Sequence, residues 1–317
     1  MMRVRAFRPD DSERWDTFCA ASYGATFLHS RRFLSYHGDR FADRSLIIED
    51  EGGRWLGLLP LALDPVDATR WVSHPGITYG GVLHDGVLRG AAMVGALESA
   101  CALMRERGAR RLIVKPVPYI YALAPAQDDV YALYRLDAQR VRCDLTSCID
   151  LAHPLPRSER RRRGLKKAQR ANLAVESGVD QLDALWPVIE ENLARSHGLQ
   201  PVHTLAQMQV LATRFPRHIA CRVARHEKRV VAGLVLFVTP RVTHAQYIAS
   251  SEEGQALCAL DLLFDHAIGE AQVMQQRYFN FGVSTEDGGR MLNEGLHRFK
   301  SEFGTGGVVH EHHEVML

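Results

Sequence analysis

From Tyr278 to Gly304 the chain runs through Tyr278-Phe279-Asn280-Phe281-Gly282-Val283, then a polar, glycine-rich stretch, then Leu292-Asn293-Glu294-Gly295-Leu296-His297-Arg298-Phe299-Lys300-Ser301-Glu302-Phe303-Gly304. The aromatic first run predicts a strand, and the residues after it predict a loop and a short helix that sets Lys300 between two phenylalanines. A strand this apolar must be covered, so the C-terminal half has to supply a sheet and helices to flank it. The preceding residues supply both. Val230 to Val238 and Val242 to Ala249, joined by Thr239-Pro240-Arg241, predict a hairpin, and a helix over Gln255 to Gly269 leads on to the strand at 278.

With 317 residues, 46% of them apolar, the chain can bury two cores of about 150 residues each. Between Asp150 and Arg157 the run Leu151-Ala152-His153-Pro154-Leu155-Pro156 interrupts regular structure with two prolines, which sets the expected boundary at 153/154. In the first half, Arg3 to Phe7 predicts a strand and Pro9-Asp10-Asp11-Ser12 a helix start. Two β-rich runs, 45–50 and 54–63, flank the turn Glu51-Gly52-Gly53; Ala91 to Arg107 has helical spacing, and Arg111 to Lys115 comes next as a strand. In the second half helices are expected at 158–173, 182–196 and 204–214, with a strand at 219–224. No direct repeat relates the halves.

The formal charge of +2 gives no global bias toward nucleic acid, DNA included, or a membrane, so any polyanion site must be local. Six cysteines without a C-x-x-C pair read as reduced thiols in a cytoplasmic protein, and nowhere do 18 apolar residues run uninterrupted. The absence of G-x-S-x-G, a P-loop and G-x-G-x-x-G argues against hydrolase, NTPase and dinucleotide readings.

Several constellations could carry chemistry. Strand 242–250 places His244, Gln246, Ile248 and Ser250 on one face and Tyr247 on the other. The segment Ser251-Glu252-Glu253-Gly254-Gln255-Ala256 opens a helix and reads either as a phosphate cradle at a helix N-terminus or as a simple cap. Asp261, beside the buried face of that helix, is a carboxylate in need of a partner: an imidazole such as His244, a backbone group or an arginine. Arg157, Arg160, Arg161, Arg162, Arg163, Lys166, Lys167 and Arg170 put eight cations into fourteen residues, a solvated face or a phosphate-binding one. His197 and His203 lie on a loop without metal-ligand company, and the tail His310-Glu311-His312-His313 reads as solvated; no metal is expected.

The C-terminal pattern Gly295-Leu296…Phe299-Lys300…Phe303-Gly304 resembles the signature of the FemAB-like branch of the GNAT acyltransferases. Arg162-Arg163-Gly164-Leu165-Lys166-Lys167-Ala168 is similar to that family's R-x-x-I-x-K-A segment. Phe27-Leu28-His29-Ser30 onward resembles its F-x-x-S-x-x-F/W entry, and Tyr79-Gly80-Gly81 its Y-G-G loop. The resemblance implies an α/β fold of two tandem GNAT-like domains, 1–153 and 154–317, each a mixed, mostly antiparallel sheet flanked by helices. It implies N-acyl transfer from acyl-CoA to the amine of a nucleotide-linked aminosugar or related envelope precursor, in a cleft walled by the hairpin near 244 and the turn at 284. His244 or His203 would be the base and Asp261 its orienter. Gly254, Gln255, Ala256, Ser284, Asn293 and Lys300 would meet the donor, and His37, Tyr79, Gly80, Arg162, Gln246 and Tyr247 the acceptor. His37 stands where peptidoglycan-directed members place a phosphate-binding lysine, a departure from that acceptor. An aminoacyl-tRNA donor and a non-catalytic binding module are the alternatives.

Overall fold

A computed structural model describes residues 2–198 and 200–317; the side chains of Ser196 and His197 lie outside the described residues, and with them the interest in His197. The chain divides into two compact units. One holds Met1–Leu145, Thr285–Met291 and Val309–Leu317, the other Thr146–Ser284 and Leu292–Val308. A single cut at 153/154 therefore differs from the contact pattern, two of whose four boundaries fall inside the long strands at 139–150 and 306–316.

In unit 1 the order is β1 (Met2–Ala6), α1 (Ser12–Ala21), α2 (Arg31–Leu34), β2 (Leu46–Asp50), β3 (Trp55–Leu59), β4 (Ala62–Leu63), β5 (Arg70–Val72), α3 (Ala91–Glu106), β6 (Arg111–Val114), α4 (Asp128–Arg135) and β7 (Gln139–Asp150). Strands β1, β2 and β3 form one antiparallel sheet, and β5 runs parallel to β6 after crossing over through α3. The helical spacing in α3 buries Met93, Val94, Leu97, Cys101 and Met104, which meet Leu46, Ile48, Trp71 and Leu112 in the core.

Unit 2 continues with α5 (Glu159–Arg170), β8 (Ala174–Ser177), α6 (Leu182–His197), α7 (Leu205–Arg214), β9 (Ile219–His226), β10 (Arg229–Val238), β11 (Val242–Ser250), α8 (Glu252–Ala256), α9 (Ala259–Val273) and β12 (Tyr278–Val283). The short strands β13 (Thr285–Glu286) and β14 (Met291–Leu292), then α10 (Glu294–Ser301) and β15 (Gly306–Met316), complete the chain. Its sheet order is β7-β12-β11-β10-β9-β8, antiparallel except for β11 beside β12. Phe264, Phe281 and Phe303 stack at 4.5 to 5.3 Å between centroids, each burial contributing about 2–3 kcal/mol. The helix expected over 255–269 is instead two: Cys258, at φ +59, breaks α8 from α9.

Leaving out β4, α5, α8, β13 and β14, the chain runs twice through one order, from β1 to β7 and again from β8 to β15: strand, two helices, three strands, helix, strand, helix, strand. The duplication that the sequence hides is plain in the elements. In each, a parallel pair brackets the crossover helix, β5–α3–β6 and β11–α9–β12.

Candidate functional site

Adjacent parallel strands joined by a crossover can part at their C-terminal ends, and a ligand fits where they do. In unit 2 they part. The β11–β12 ladder ends at His244↔Asn280, while β11 continues to Ser250. Two irregularities sit at the parting: Gln246 is the extra residue of a bulge, unopposed between Val235↔Tyr247 and Leu236↔Ala245, and Gly282 turns β12 aside at φ +75. In unit 1 the equivalent gap is laced shut. Ser73 N–H donates to Ile113 O at 2.8 Å, Lys115 N–H to Ser73 Oγ at 2.8 Å and Gly80 N–H to Lys115 O at 2.7 Å. The Lys115 ammonium further ties down the carbonyls of His74 and Ile77.

At the unit 2 wedge stand His244, Asn280 and Lys300. Asn280, fully buried, receives Gly282 N–H on Oδ1 at 2.6 Å, donates Nδ2–H to Thr146 Oγ1 at 3.2 Å, and is hydrogen-bonded to the His244 imidazole. A β carbon on Gly282 would lie 3.6 Å from His244 Cε1, so the hairpin strand and the turn after β12 do come together. Lys300, 3% exposed, donates Nζ–H to Gly282 O at 3.1 Å and Val283 O at 2.5 Å. Burial brings its pKa down to about 7, because the charged form loses water without gaining a carboxylate. Burial likewise holds His244 down to about 4, against the Asn280 hydrogen bond, with the Lys300 charge adding to the drop.

Several expected residues are occupied elsewhere. Asp261 does not orient His244: both its oxygens accept from Arg161 Nη1, at 3.1 and 3.2 Å, while Arg161 Nε donates to Glu302 Oε2 at 3.0 Å and its guanidinium lies 4.9 Å from the Phe299 ring. Burial raises the Asp261 pKa and Arg161 opposes the rise. His203 is spent on Tyr247, whose hydroxyl lies 2.8 Å from Nδ1 and accepts the His203 backbone N–H at 3.1 Å. Asn293 caps α10 through Leu296 N–H at 2.9 Å. Ser284 is 1% exposed; its carbonyl accepts Asn293 N–H at 2.9 Å, while its hydroxyl has no hydrogen-bond partner among the described residues and so is not claimed by another group.

The phosphate cradle is also corrected. Gly254 N–H donates to Ser251 Oγ at 3.1 Å and Gln255 N–H to Ser251 O at 2.9 Å, so the chain itself caps α8. Glycine is required at 254 by packing, since a β carbon would sit 2.2 Å from Val231 O. Gln255 and Ala256 are exposed, and the first turn carries Glu252 and Glu253, with Glu253 held by His226 at 2.6 Å and Arg229 at 2.8 Å. Arg162 is exposed and paired with Glu159; the buried arginine of the basic block is Arg161.

In unit 1, Tyr79 is 3% exposed, stacked 4.4 Å from Tyr121, and its hydroxyl bonds Thr26; it packs and offers no surface to an acceptor. A β carbon on Gly80 would meet Ser73 O at 2.3 Å. His37, by contrast, borders a cavity together with His74. Asn280 escapes a reading from sequence; its one signal is a carboxamide inside an aromatic run. Among the described residues no helix is long and apolar enough to cross a membrane, and no group of His, Cys, Asp or Glu could hold a metal ion.

Residues 157–300, the segment that builds this wedge, match the family described as acetyltransferase (GNAT) domain. Among solved structures, FemX superposes with a TM-score of 0.70 at 11% identity, over 99% of this chain and 97% of that one. L-PGS from Bacillus licheniformis gives 0.64 at 14%, over 96% and 91%. A tandem GNAT protein from the clavulanic acid biosynthesis pathway gives 0.55 at 13%, over 100% and 98%. At these identities the likeness is one of fold: a GNAT-type α/β architecture in tandem. No curated protein matches the chain.

Proposed function

We propose that the protein is an N-acyltransferase working at the parting of β11 and β12. The observation that carries the reading is Lys300, buried at an open strand edge with a proton affinity near neutrality. A neutral lysine amine has two N–H groups, and Gly282 O and Val283 O take both. Its lone pair is then left to accept a proton. An extended donor arm adds to the β11 edge as a further strand. The acceptor nitrogen attacks the acyl carbon, the C–N bond forms, and Lys300 takes the ammonium proton. Collapse of the oxyanion breaks the bond to the leaving group, which receives that proton back. His244, held neutral, is the adjacent polar contact rather than the base, since its pKa of about 4 matches neutral pH poorly.

The donor that fits best is an aminoacylated RNA 3′ end. The self-capped, acidic start of α8 suits a pyrophosphate badly. Helix α5 meanwhile exposes Arg163, Lys166, Lys167 and Arg170. The second reading, acyl-CoA with an aminosugar acceptor, is favoured by the acetyltransferase family match over 157–300. Calorimetric titration separates them. Salt-sensitive binding of aminoacylated tRNA supports the first and heat with acetyl-CoA the second; binding of neither would leave acyl transfer without support.

A further inference from the structure

Lys300 sits in the last turn of α10, a helix of eight residues. A helix that short does not hold together by itself, so the burial of the amine depends on what grips that turn. Asn293 caps the start of α10, and α5 grips its end. Ser158 N–H donates to Glu302 O at 2.9 Å and Arg161 Nε to Glu302 Oε2 at 3.0 Å, so the first turn of α5 takes both the backbone and the side chain of the residue that closes α10. Ser158 Oγ accepts Arg161 N–H at 3.2 Å, which caps α5 and fixes that turn in its own right.

The Arg161 guanidinium also lies 4.9 Å from the Phe299 ring centroid and 5.2 Å from that of Phe303. It thus meets Phe299, Glu302 and Phe303, on either side of Lys300 in the chain, while no hydrogen bond joins it to Lys300 among the described residues. Its Nη1 is anchored on both oxygens of Asp261 in α9, and its side chain is 9% exposed. A planar fork with rings against it and carboxylates at its rim has little freedom to move. The same pairing governs charge. Burial alone holds Lys300 near neutrality, which requires that no carboxylate stand beside it. Glu302, two residues along, would be such a carboxylate if released; Arg161 at 3.0 Å and Arg160 at 3.7 Å engage it instead.

We infer that Arg161 is a positioning residue for Lys300: by clasping Phe299, Glu302 and Phe303 it seats the last turn of α10, holds the amine at the Gly282 and Val283 carbonyls, and keeps the Glu302 carboxylate away from it. The bearing of this on catalysis rests on the acyl-transfer reading, whereas the seating of the amine can be read without any substrate.

Competitive labelling of the full chain with trace acetic anhydride against pH, reading the Lys300 and Lys115 peptides by mass spectrometry, tests it. In the native protein both lysines should titrate near 7. Arg161→Gln should raise the Lys300 midpoint by about one pH unit or more and its limiting rate at high pH severalfold, with Lys115, in unit 1, unmoved. Arg161→Lys, which restores the charge but not the fork, should bring the midpoint back and leave the limiting rate raised. Should the Arg161 variants not fold, Glu302→Gln, which loosens the clasp and removes the carboxylate together, should raise the limiting rate with the midpoint still near 7. In a transfer assay the acid limb of kcat against pH should move up with the Lys300 midpoint, with KM changing less than about twofold. Movement of the amine with an unmoved rate profile leaves the seating intact and tells against Lys300 as the base. Lys300 labelling unchanged in both Arg161→Gln and Glu302→Gln, or Lys115 shifting along with it, overturns the assignment.

Discussion

Replacing Lys300 by methionine keeps the stem and removes the titrating group, so it isolates what burial does to that amine. In the folded protein Lys300 gives up its proton near pH 7, whereas in the unfolded chain it holds it to about 10.5. Below 7 both states are protonated and the group adds no slope. Between 7 and 10.5 the unfolded state binds the extra proton, so stability rises with pH, at a limiting rate of about 1.4 kcal/mol per pH unit. The upper bound over the whole window is roughly 5 kcal/mol. Lys300→Met should flatten this rise in unit 2 while leaving the matching contribution of Lys115, also near 7, untouched. Native-state hydrogen exchange of peptides covering 278–303 reads the local opening free energy, and comparing the two proteins at each pH cancels the intrinsic pH dependence of exchange. The opening energies should diverge by about 1 kcal/mol or more per pH unit between 7.5 and 9.5. Parallel profiles would mean that the amine is not held near neutrality, and the proton-transfer role would go with it.

The same variant should cut acyl transfer by about 10²-fold or more, while His244→Ala should cost nearer tenfold with no change in the pH optimum, read from initial rates against pH. His203→Ala loses its hydrogen bond to Tyr247 and should cost about 1–2 kcal/mol in urea denaturation with less than a twofold change in rate. Arg161→Ala strands Asp261 and Glu302 and should destabilise by about 3–5 kcal/mol, recovered in part at low pH where carboxylates protonate; a loss under 1 kcal/mol would refute the pairing. Gly282→Ala meets only ordinary contacts at 3.6 Å but a φ of +75, so its cost should be that of left-handed backbone, about 1–2 kcal/mol.

Periodicity and turn chemistry made most of the elements legible, among them α3, the β10–β11 hairpin and β12, because burial on one face imposes a rhythm on the residues. It could not reveal Cys258 breaking the helix, since nothing local distinguishes a residue at positive φ. Lys300 and His244 stood out as polar groups in apolar surroundings. Asp261 did too, yet its partner Arg161 lies 100 residues away, and spacing carries no information across that distance. Gly254 shows the opposite failure: a glycine that looked made for phosphate is there because Val231 O leaves no room for a side chain.

Strand β6 depends on residues made long after it. Its partner is β15, with Arg111 to Val114 aligned to Met316 to His313, so the pairing waits for a segment that leaves the ribosome roughly two hundred residues later. Until then one rim of the nascent sheet stays unpaired and prone to sticking. A fragment cut at 153 would keep that bare rim permanently, so expression of the halves separately should yield insoluble material even where the intact chain is well behaved.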